Sequence, residues 1–392
     1  MNAEFFDTLE TRSAAEREAA LALALPAQLR AARAVPALLD RLADVEPDRV
    51  TTRAALARLP VTRKPELLAR QQASRATDAF GGFSALGWRH QAALRPARRV
   101  YQSPGPIYEP EGPAADYWRS ARALFAAGLR AGDLVHNSFS YHLTPGAWIM
   151  ESGAHALGCT VFPGGVGNTE LQLQAMQDLR PDAYAGTPSF LRILLEKAAE
   201  TGVALPSLKK ALVSGEAFPP SLRDWLAERG VHAYQAYATA DVGTIAFETA
   251  ARQGLVVDEG VILEIVRPGT GDPVPDGEVG EVVVTVLSPD YPLLRFGTGD
   301  LSAVLAGPCP SGRSNTRIKG WMGRADQTAK VRGMFVHPSQ VAEVLRRHPE
   351  LNKARLVVQG EMANDRMTLQ VECATQPAGL AEAVAGSVRD VT

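Results

Sequence analysis

The sequence predicts an α/β protein. A large N-terminal domain of α/β subdomains with a small β-rich subdomain is followed by a small α+β C-terminal lid domain that reads as incomplete. Three observations carry this. Between residues 100 and 250 short apolar strands alternate with helices, which is the pattern of a parallel sheet with crossover helices. Beyond Gly254 the helices vanish, and β-branched runs are separated by Gly, Pro and Asp turns. After Gly323 a third texture, strand, helix, strand and strand, runs to Thr392. The expected division is therefore 1–325 for the large domain, made of a helical lead-in 1–99, an α/β part 100–250 and a β-rich part 251–325. The lid takes 326–392 and is expected to be truncated.

In chain order, residues 9–76 are rich in Ala, Leu and Arg at helical spacing, with breaks expected at Pro26, Pro36, Pro47 and Pro60. The apolar run 19–25 is short, ends at Pro26 and follows Glu10, Glu16 and Glu18, so it reads as helix core and not as a signal peptide. Strands are expected at 133–137, 159–162, 182–185 and 210–213. The helices between them fall at 115–127, 170–179, 188–201 and 220–229. His232 to Tyr234 reads as a further strand, and 261–266 with 280–287 as antiparallel strands. In the lid a short strand lies near Lys330, a helix over 338–347, and strands over 354–359 and 367–373. No internal repeat appears.

Composition excludes several classes. The chain has 392 residues, 46% hydrophobic and 21% charged, which is ordinary soluble usage and argues against a disordered or membrane-spanning chain. Forty-one Lys plus Arg against 43 Asp plus Glu leave a formal charge of −2, so no global basic field exists to hold a nucleic-acid backbone. Cys159, Cys309 and Cys373 are far apart and lack metal spacing, which argues against a disulfide framework or a zinc knuckle and makes the cytoplasm the expected location.

Three constellations carry candidate chemistry. Tyr234-Gln-Ala-Tyr237-Ala238-Thr239-Ala-Asp241-Val-Gly243 places an aromatic, a hydroxyl and a carboxylate after a strand, where open α/β sheets bind ligands. Read alone it is more simply a polar turn. Arg295-Phe-Gly-Thr298-Gly-Asp300 ends a glycine-loosened turn on a carboxylate, which is turn chemistry unless a diol such as a ribose meets it. From Arg313 to Arg332 six basic residues face one acid, Asp326, a local excess that suits phosphates or a solvated charged face.

In this order the segments resemble the AMP-forming adenylating superfamily of acyl-CoA synthetases, most closely its phenylacetate-CoA ligase branch. Leu56-Ala-Arg-Leu-Pro-Val-Thr-Arg-Lys-Pro-Glu-Leu67 is similar to the branch's N-terminal segment. Gly132 to His142, Gly167-Asn-Thr-Glu170 and Gly323-Arg-x-Asp to Glu343 continue the likeness across nearly the whole chain. The resemblance implies activation of an aromatic or arylacetic acid with ATP to an acyl-adenylate, helped by Mg2+, then transfer to coenzyme A after the lid swings. It implies that Tyr237, with Ala238 and Thr239, flanks adenine and that Asp241 holds Mg2+. Ser214, Gly215 and Glu216 would run along the adenine, and Asp300 would grip the ribose. Arg324 would lie near the nucleotide, Asp326 would be the hinge, and Lys330 with Gly333 would line the pantetheine tunnel. Phe139, Tyr141, His142 and Leu143 match the acid pocket. AMP is a product, and a homodimer fits the family.

Two departures accompany the likeness. Ser103-Pro-Gly-Pro-Ile-Tyr-Glu109-Pro110 aligns with the family's phosphate loop, but both threonines, the second glycine and the lysine are gone. Pro104 and Pro106 lack backbone donors, and Glu109 stands where a cation is expected. The family's catalytic lysine lies near the C-terminus in a Gly-Lys context, and this chain stops without one. Both departures bear on adenylation more than on thioester transfer. They keep open a second reading, a nucleotide- or acyl-CoA-binding pseudoenzyme. Glu248 stands where some branch members carry a metal-binding Cys, so no structural zinc is expected.

Overall fold

The computed structural model describes residues 4–89, 95–325, 329–331, 334–336, 338–360, 366–374 and 377–391. The lead-in opens with α1 (Ala14–Arg33), started by a Ser13/Glu16 capping box. It runs straight through Pro26, so the expected break there is corrected. Proline costs the helix one hydrogen bond, but Leu21, Leu25, Leu29 and Ala32 all bury on one face of it, and that burial outweighs the loss. Next come α2 (Pro36–Leu39), α3 (Arg53–Leu56), β1 (Thr62–Arg63), α4 (Lys64–Ser74), and the small parallel pair β2 (Leu86–Gly87) and β3 (Arg95–Pro96).

The segment aligned with the phosphate loop forms a hairpin instead, β4 (Arg99–Ser103) against β5 (Ile107–Glu111), antiparallel. Alternation turns Tyr101, Ser103, Ile107, Glu109 and Glu111 inward, so two carboxylates point into the protein. Gln71 on α4 clamps β5 by donating to the Tyr108 carbonyl and accepting from the Tyr108 N–H, both at 2.8 Å.

Alternation of helix and strand then builds the main sheet: α5 (Ala121–Ala126), β6 (Leu134–Asn137), α6 (Gly146–Ala156), β7 (Thr160–Pro163), α7 (Thr169–Leu179), β8 (Ala183–Gly186), α8 (Pro188–Thr201), β9 (Lys210–Val213), α9 (Pro220–Glu228) and β10 (His232–Thr239). The helix expected over 115–127 is only α5. Arg119 sits at φ +61, outside helical space, and Asp116 caps the helix by accepting from the N–H groups of Ser120 and Ala121. The strand expected to end at Tyr234 continues to Thr239.

The described chain continues with β11 (Gly243–Glu248), β12 (Leu255–Val257), β13 (Val261–Val266), β14 (Gly280–Val286), β15 (Phe296–Ser302), β16 (Val304–Leu305) and β17 (Arg317–Ile318). Nine strands form one sheet in the order β16-β17-β12-β11-β10-β9-β8-β6-β7. Strands β10, β9, β8, β6 and β7 are parallel, and β11 onward is antiparallel. Side chains alternate across it. Ala183, Ala185 and Leu212 pack with Leu124, Ile149 and Met150 of α5 and α6, while Tyr184, Ala211 and Val213 pack with Leu191, Leu194, Leu222 and Leu226 of α8 and α9.

A second sheet runs β1-β15-β14-β13, and the antiparallel pairing of 261–266 with 280–286 is as expected. Its strand β1 comes from the lead-in, and one apolar core holds Leu25, Leu29 and Leu67 together with Ile265, Val282 and Phe296. Arg295 is buried at its edge, paired with Glu264 at 2.9 Å. The C-terminal part carries β18 (Ala329–Val331), β19 (Met334–Val336), α10 (Pro338–Arg347), β20 (Leu351–Gln359), β21 (Arg366–Cys373) and α11 (Leu380–Val391), with a small core at Val344, Leu351, Leu380 and Val384. Among the described residues no helix is long and apolar enough to cross a membrane.

Candidate functional site

The parallel strands end at Asn137, Pro163, Gly186, Val213 and Thr239, and the loops that follow share one edge of the sheet. This edge is where a doubly wound sheet leaves a crevice. Ser214, Gly215 and Glu216 leave β9 there, with Gly215 at φ +87, where a side chain is strained. Glu216 lines a cavity of about 420 Å³ together with Phe218, Gln235, Glu248, Lys319 and Trp321. Glu248 pairs with Arg223 at 2.8 Å and accepts the Gln235 N–H, tying α9 to β10 and β11.

Tyr237, Asp300 and Arg324 meet, though β10, β15 and the segment past Gly323 are far apart in sequence. The Tyr237 hydroxyl donates to Asp300 Oδ2 at 2.8 Å and reaches Thr298 Oγ1 at 3.2 Å. Asp300 Oδ1 accepts from Arg324 Nη1 at 3.0 Å and from Trp321 Nε1 at 3.1 Å. Burial first, and then the charge of Asp300, pushes the Tyr237 pKa well above its ordinary value, so the phenol stays protonated. Ala238 and Thr239 lie beside Tyr237 at a bulge in the β10–β11 ladder.

Asp241 follows β10 and is buried. Its Oδ2 pairs with Lys64 Nζ at 2.9 Å, while Oδ1 is buried with no hydrogen-bond partner. Glu109 on the inner face of the hairpin is an electrostatic neighbour of both. Ser103 donates to its Oε1, and its Oε2 is likewise buried and unpartnered. Burial, and then the charge of Asp241, raises the Glu109 pKa well above the carboxylate range. Burial opposes the Lys64 ammonium, but Asp241 and then Glu109 more than offset it, and its pKa stands above the lysine value. The unpartnered Asp241 oxygen is a hard donor of the kind Mg2+ takes, which uses one or two protein carboxylates and completes its shell from water and phosphate, whereas the raised pKa of Glu109 works against its serving as a second one. Among the described residues no group of three or more His, Cys, Asp or Glu forms a larger metal site.

Lys64 is absent from the site residues expected above. In the sequence it is only the lysine of a Lys-Pro helix start, and its partner lies 177 residues away.

In the loop after β6, Phe139 and Tyr141 are half-buried, whereas His142 and Leu143 are exposed, Leu143 at φ +56. Gln172 on α7 fastens this edge, accepting from Ser138 and donating to the carbonyls of Gly165 and Gly167. The basic run from Arg313 proves only partly available to a ligand. Arg313 is buried on Glu10 at 2.8 Å, and Arg317 is spent on the carbonyls of Gln253, Ala306 and Gly307. Lys330 lies on β18, and Asp326 and Gly333 lie outside the described residues.

A family model described as AMP-binding enzyme matches residues 118–286. The chain is 37% identical over 261 residues to the phenylacetate-coenzyme A ligase of Thermus thermophilus, covering 64% of this chain and 59% of that protein. It therefore spans about three fifths of that relative's length. It is 33% identical over 344 residues to the phenylacetate-coenzyme A ligase of Aromatoleum evansii, covering 84% of this chain and 74% of that one. Among solved structures, 2-hydroxyisobutyryl-CoA ligase with 2-HIB-AMP and CoA in the thioesterification state superposes with a TM-score of 0.82 at 25% identity, over 97% of this chain and 85% of that one. The same ligase with 2-HIB-AMP in its postadenylation state gives 0.74.

Proposed function

This chain belongs to the phenylacetate-coenzyme A ligase family of AMP-binding enzymes, and we propose that it joins an aromatic or arylacetic acid to coenzyme A through an acyl-adenylate. In the first half a carboxylate oxygen of the acid attacks the α-phosphorus of ATP, and the bond to the β-phosphate breaks to release pyrophosphate. In the second half the sulfur of CoA attacks the acyl carbon, and AMP departs with the electron pair of the broken C–O bond.

The observation that carries this reading is the convergence of Tyr237, Asp300 and Arg324 at the carboxyl edge of the parallel sheet. A carboxylate offers about four acceptor positions. Three on Asp300 are taken, which leaves capacity for a ribose hydroxyl beside an aromatic ring and a guanidinium. Ser214 to Glu216 would border the adenine, and Arg324 would face the phosphate. Asp241 would hold Mg2+, whose part is to draw charge from the phosphate oxygens. Asp326 would be the hinge, and Lys330 with Gly333 would line the path of CoA. The acid would sit against Phe139, Tyr141, His142 and Leu143. Three free cysteines fit a reducing cytoplasm.

The hairpin at 99–111 favours a second reading, a nucleotide- or acyl-CoA-binding pseudoenzyme, because a closed pair of strands holding Glu109 inward is a poor cradle for a triphosphate. ATP–pyrophosphate exchange separates the two. The ligase reading expects exchange that depends on an added aryl or arylacetic acid. Absence of exchange across a broad acid panel, with AMP still bound, selects the second reading.

A further inference from the structure

The loop after β6 carries a hydrogen-bond chain whose polarity bears on the acid. Asn137 donates from Nδ2 to the Tyr141 hydroxyl at 3.0 Å and to the Ala147 carbonyl at 2.9 Å, and its Oδ1 accepts the Phe139 N–H at 3.2 Å. The Tyr141 hydroxyl in turn donates to Glu151 Oε2 at 2.7 Å. A phenol has one proton and two lone pairs. Here the proton is committed to Glu151 and one lone pair to Asn137, so toward any further group Tyr141 offers only its second lone pair. Burial, and then the bond to Glu151, raises the Tyr141 pKa, and the phenol does not ionise near neutrality. Glu151 Oε1 faces His155 Nε2 at 3.8 Å, beyond hydrogen-bond range, and so also retains acceptor capacity.

The surroundings are otherwise apolar. Trp148 meets Tyr141 edge-on at 5.1 Å, and Ile149, Met150 and Ala154 of the same helix are buried. Arg99 is directed elsewhere, stacked on the Trp148 ring at 4.0 Å and bonded to Glu111. A carboxylate placed among apolar side chains at the edge of a crevice costs solvation, which hydrogen-bond donors must offset. Tyr141 supplies one such donor to Glu151, and the ligase reading, which sets the acid against Tyr141, puts the remaining acceptor capacity beside the acid's ring.

We propose that Tyr141 and Glu151 form an acceptor-only end of the acid pocket and select an aryl or arylacetic acid bearing a ring hydroxyl or amino group. This rests on the ligase reading and names its substrate class. An ether, nitro or halogen substituent would set an acceptor against acceptors, and an unsubstituted ring would leave them unfilled. A charged acceptor meeting a donor is worth roughly ten- to a hundredfold in affinity over the ring that lacks it.

The test uses stable acyl-sulfamoyl adenosines, which mimic the adenylate and bind without turnover. Analogues of phenylacetate and of its 3- and 4-hydroxy, 4-amino and 4-methoxy derivatives are titrated into the full chain by calorimetry. At least one hydroxy or amino analogue should bind ten times more tightly than the parent, and the methoxy analogue no more tightly than the parent. Glu151→Gln presents an amide donor, so the hydroxy-to-methoxy preference should shrink below threefold. Tyr141→Phe should weaken the same preference from the other side. Equal binding of parent, hydroxy and amino analogues by the unaltered protein overturns the acceptor pair and leaves the ligase reading standing. Failure of every analogue to bind overturns both.

Discussion

At the residue scale, the site is built by charges that find each other across long stretches of chain. Asp300 is buried with three donors on it, so it serves the fold as well as any ribose. Asp300→Ala should therefore act twice. Under the ribose reading it abolishes calorimetric binding of adenylate analogues. It also removes the carboxylate paired with the Arg324 guanidinium, which keeps the Thr298 carbonyl at 3.2 Å, and should lower unfolding free energy by about 3 kcal/mol in a urea titration. Unchanged affinity in a destabilised protein would reduce Asp300 to a structural anchor. The sequence displays Asp300, Tyr237 and Asp241 because each stands in a short local pattern. It hides Lys64, whose meaning depends entirely on Asp241 and Glu109. It also misleads at Arg313 and Arg317, which look like a ligand-facing run but are buried on Glu10 and on backbone carbonyls. A count of charges along the chain contains no information about which of them face inward.

At the scale of elements, the hairpin β4–β5 shapes the edge at which the ligase reading places the nucleotide. Its alternation places Glu109 and Glu111 inside, and it is attached to α4 by Gln71, which is fully buried, and at the end of that helix by Arg75, which donates to the Pro106 carbonyl at 2.8 Å. Gln71→Ala would leave the Tyr108 N–H and carbonyl without their partners. Each unsatisfied buried group costs about 1 to 3 kcal/mol, so the variant should lose about 2 to 6 kcal/mol in denaturant unfolding. A loss below half a kcal/mol would mean that the hairpin holds to α4 by other contacts. The parallel strands and their helices were legible in the sequence because two-residue and 3.6-residue apolar periods survive wherever an element packs on the sheet. The hairpin was not, because alignment with a glycine-rich loop concealed an alternation carried by Tyr101, Ser103, Ile107, Glu109 and Glu111, three of them polar or charged. Pro26 was misread for a related reason: a local rule about proline yields to four apolar residues buried along one helix face.

At the scale of the whole molecule, the proposed swing of the C-terminal part needs a place to begin. The chain past β17 is held to β15 by backbone hydrogen bonds. Leu301 donates to the Gly323 carbonyl at 2.9 Å, Met322 to the Leu301 carbonyl at 2.9 Å, and Ala325 to the Gly299 carbonyl at 2.6 Å. These bonds make the strip from Met322 to Ala325 part of the large body, together with the Arg324–Asp300 pair. The proposed rotation, leaving them intact, would start after Ala325, where Asp326 follows in the sequence. A hinge of this kind absorbs its motion in one or two backbone dihedrals. Asp326→Pro fixes φ near −65° and should hinder that rotation while sparing both binding sites. The expected result is asymmetric: acid-dependent pyrophosphate exchange and CoA transfer from a supplied acyl-adenylate should diverge, one falling at least tenfold while the other stays within threefold of the unaltered protein. Equal loss of both would mean that the proline damages a shared site, and equal retention would move the hinge away from Asp326.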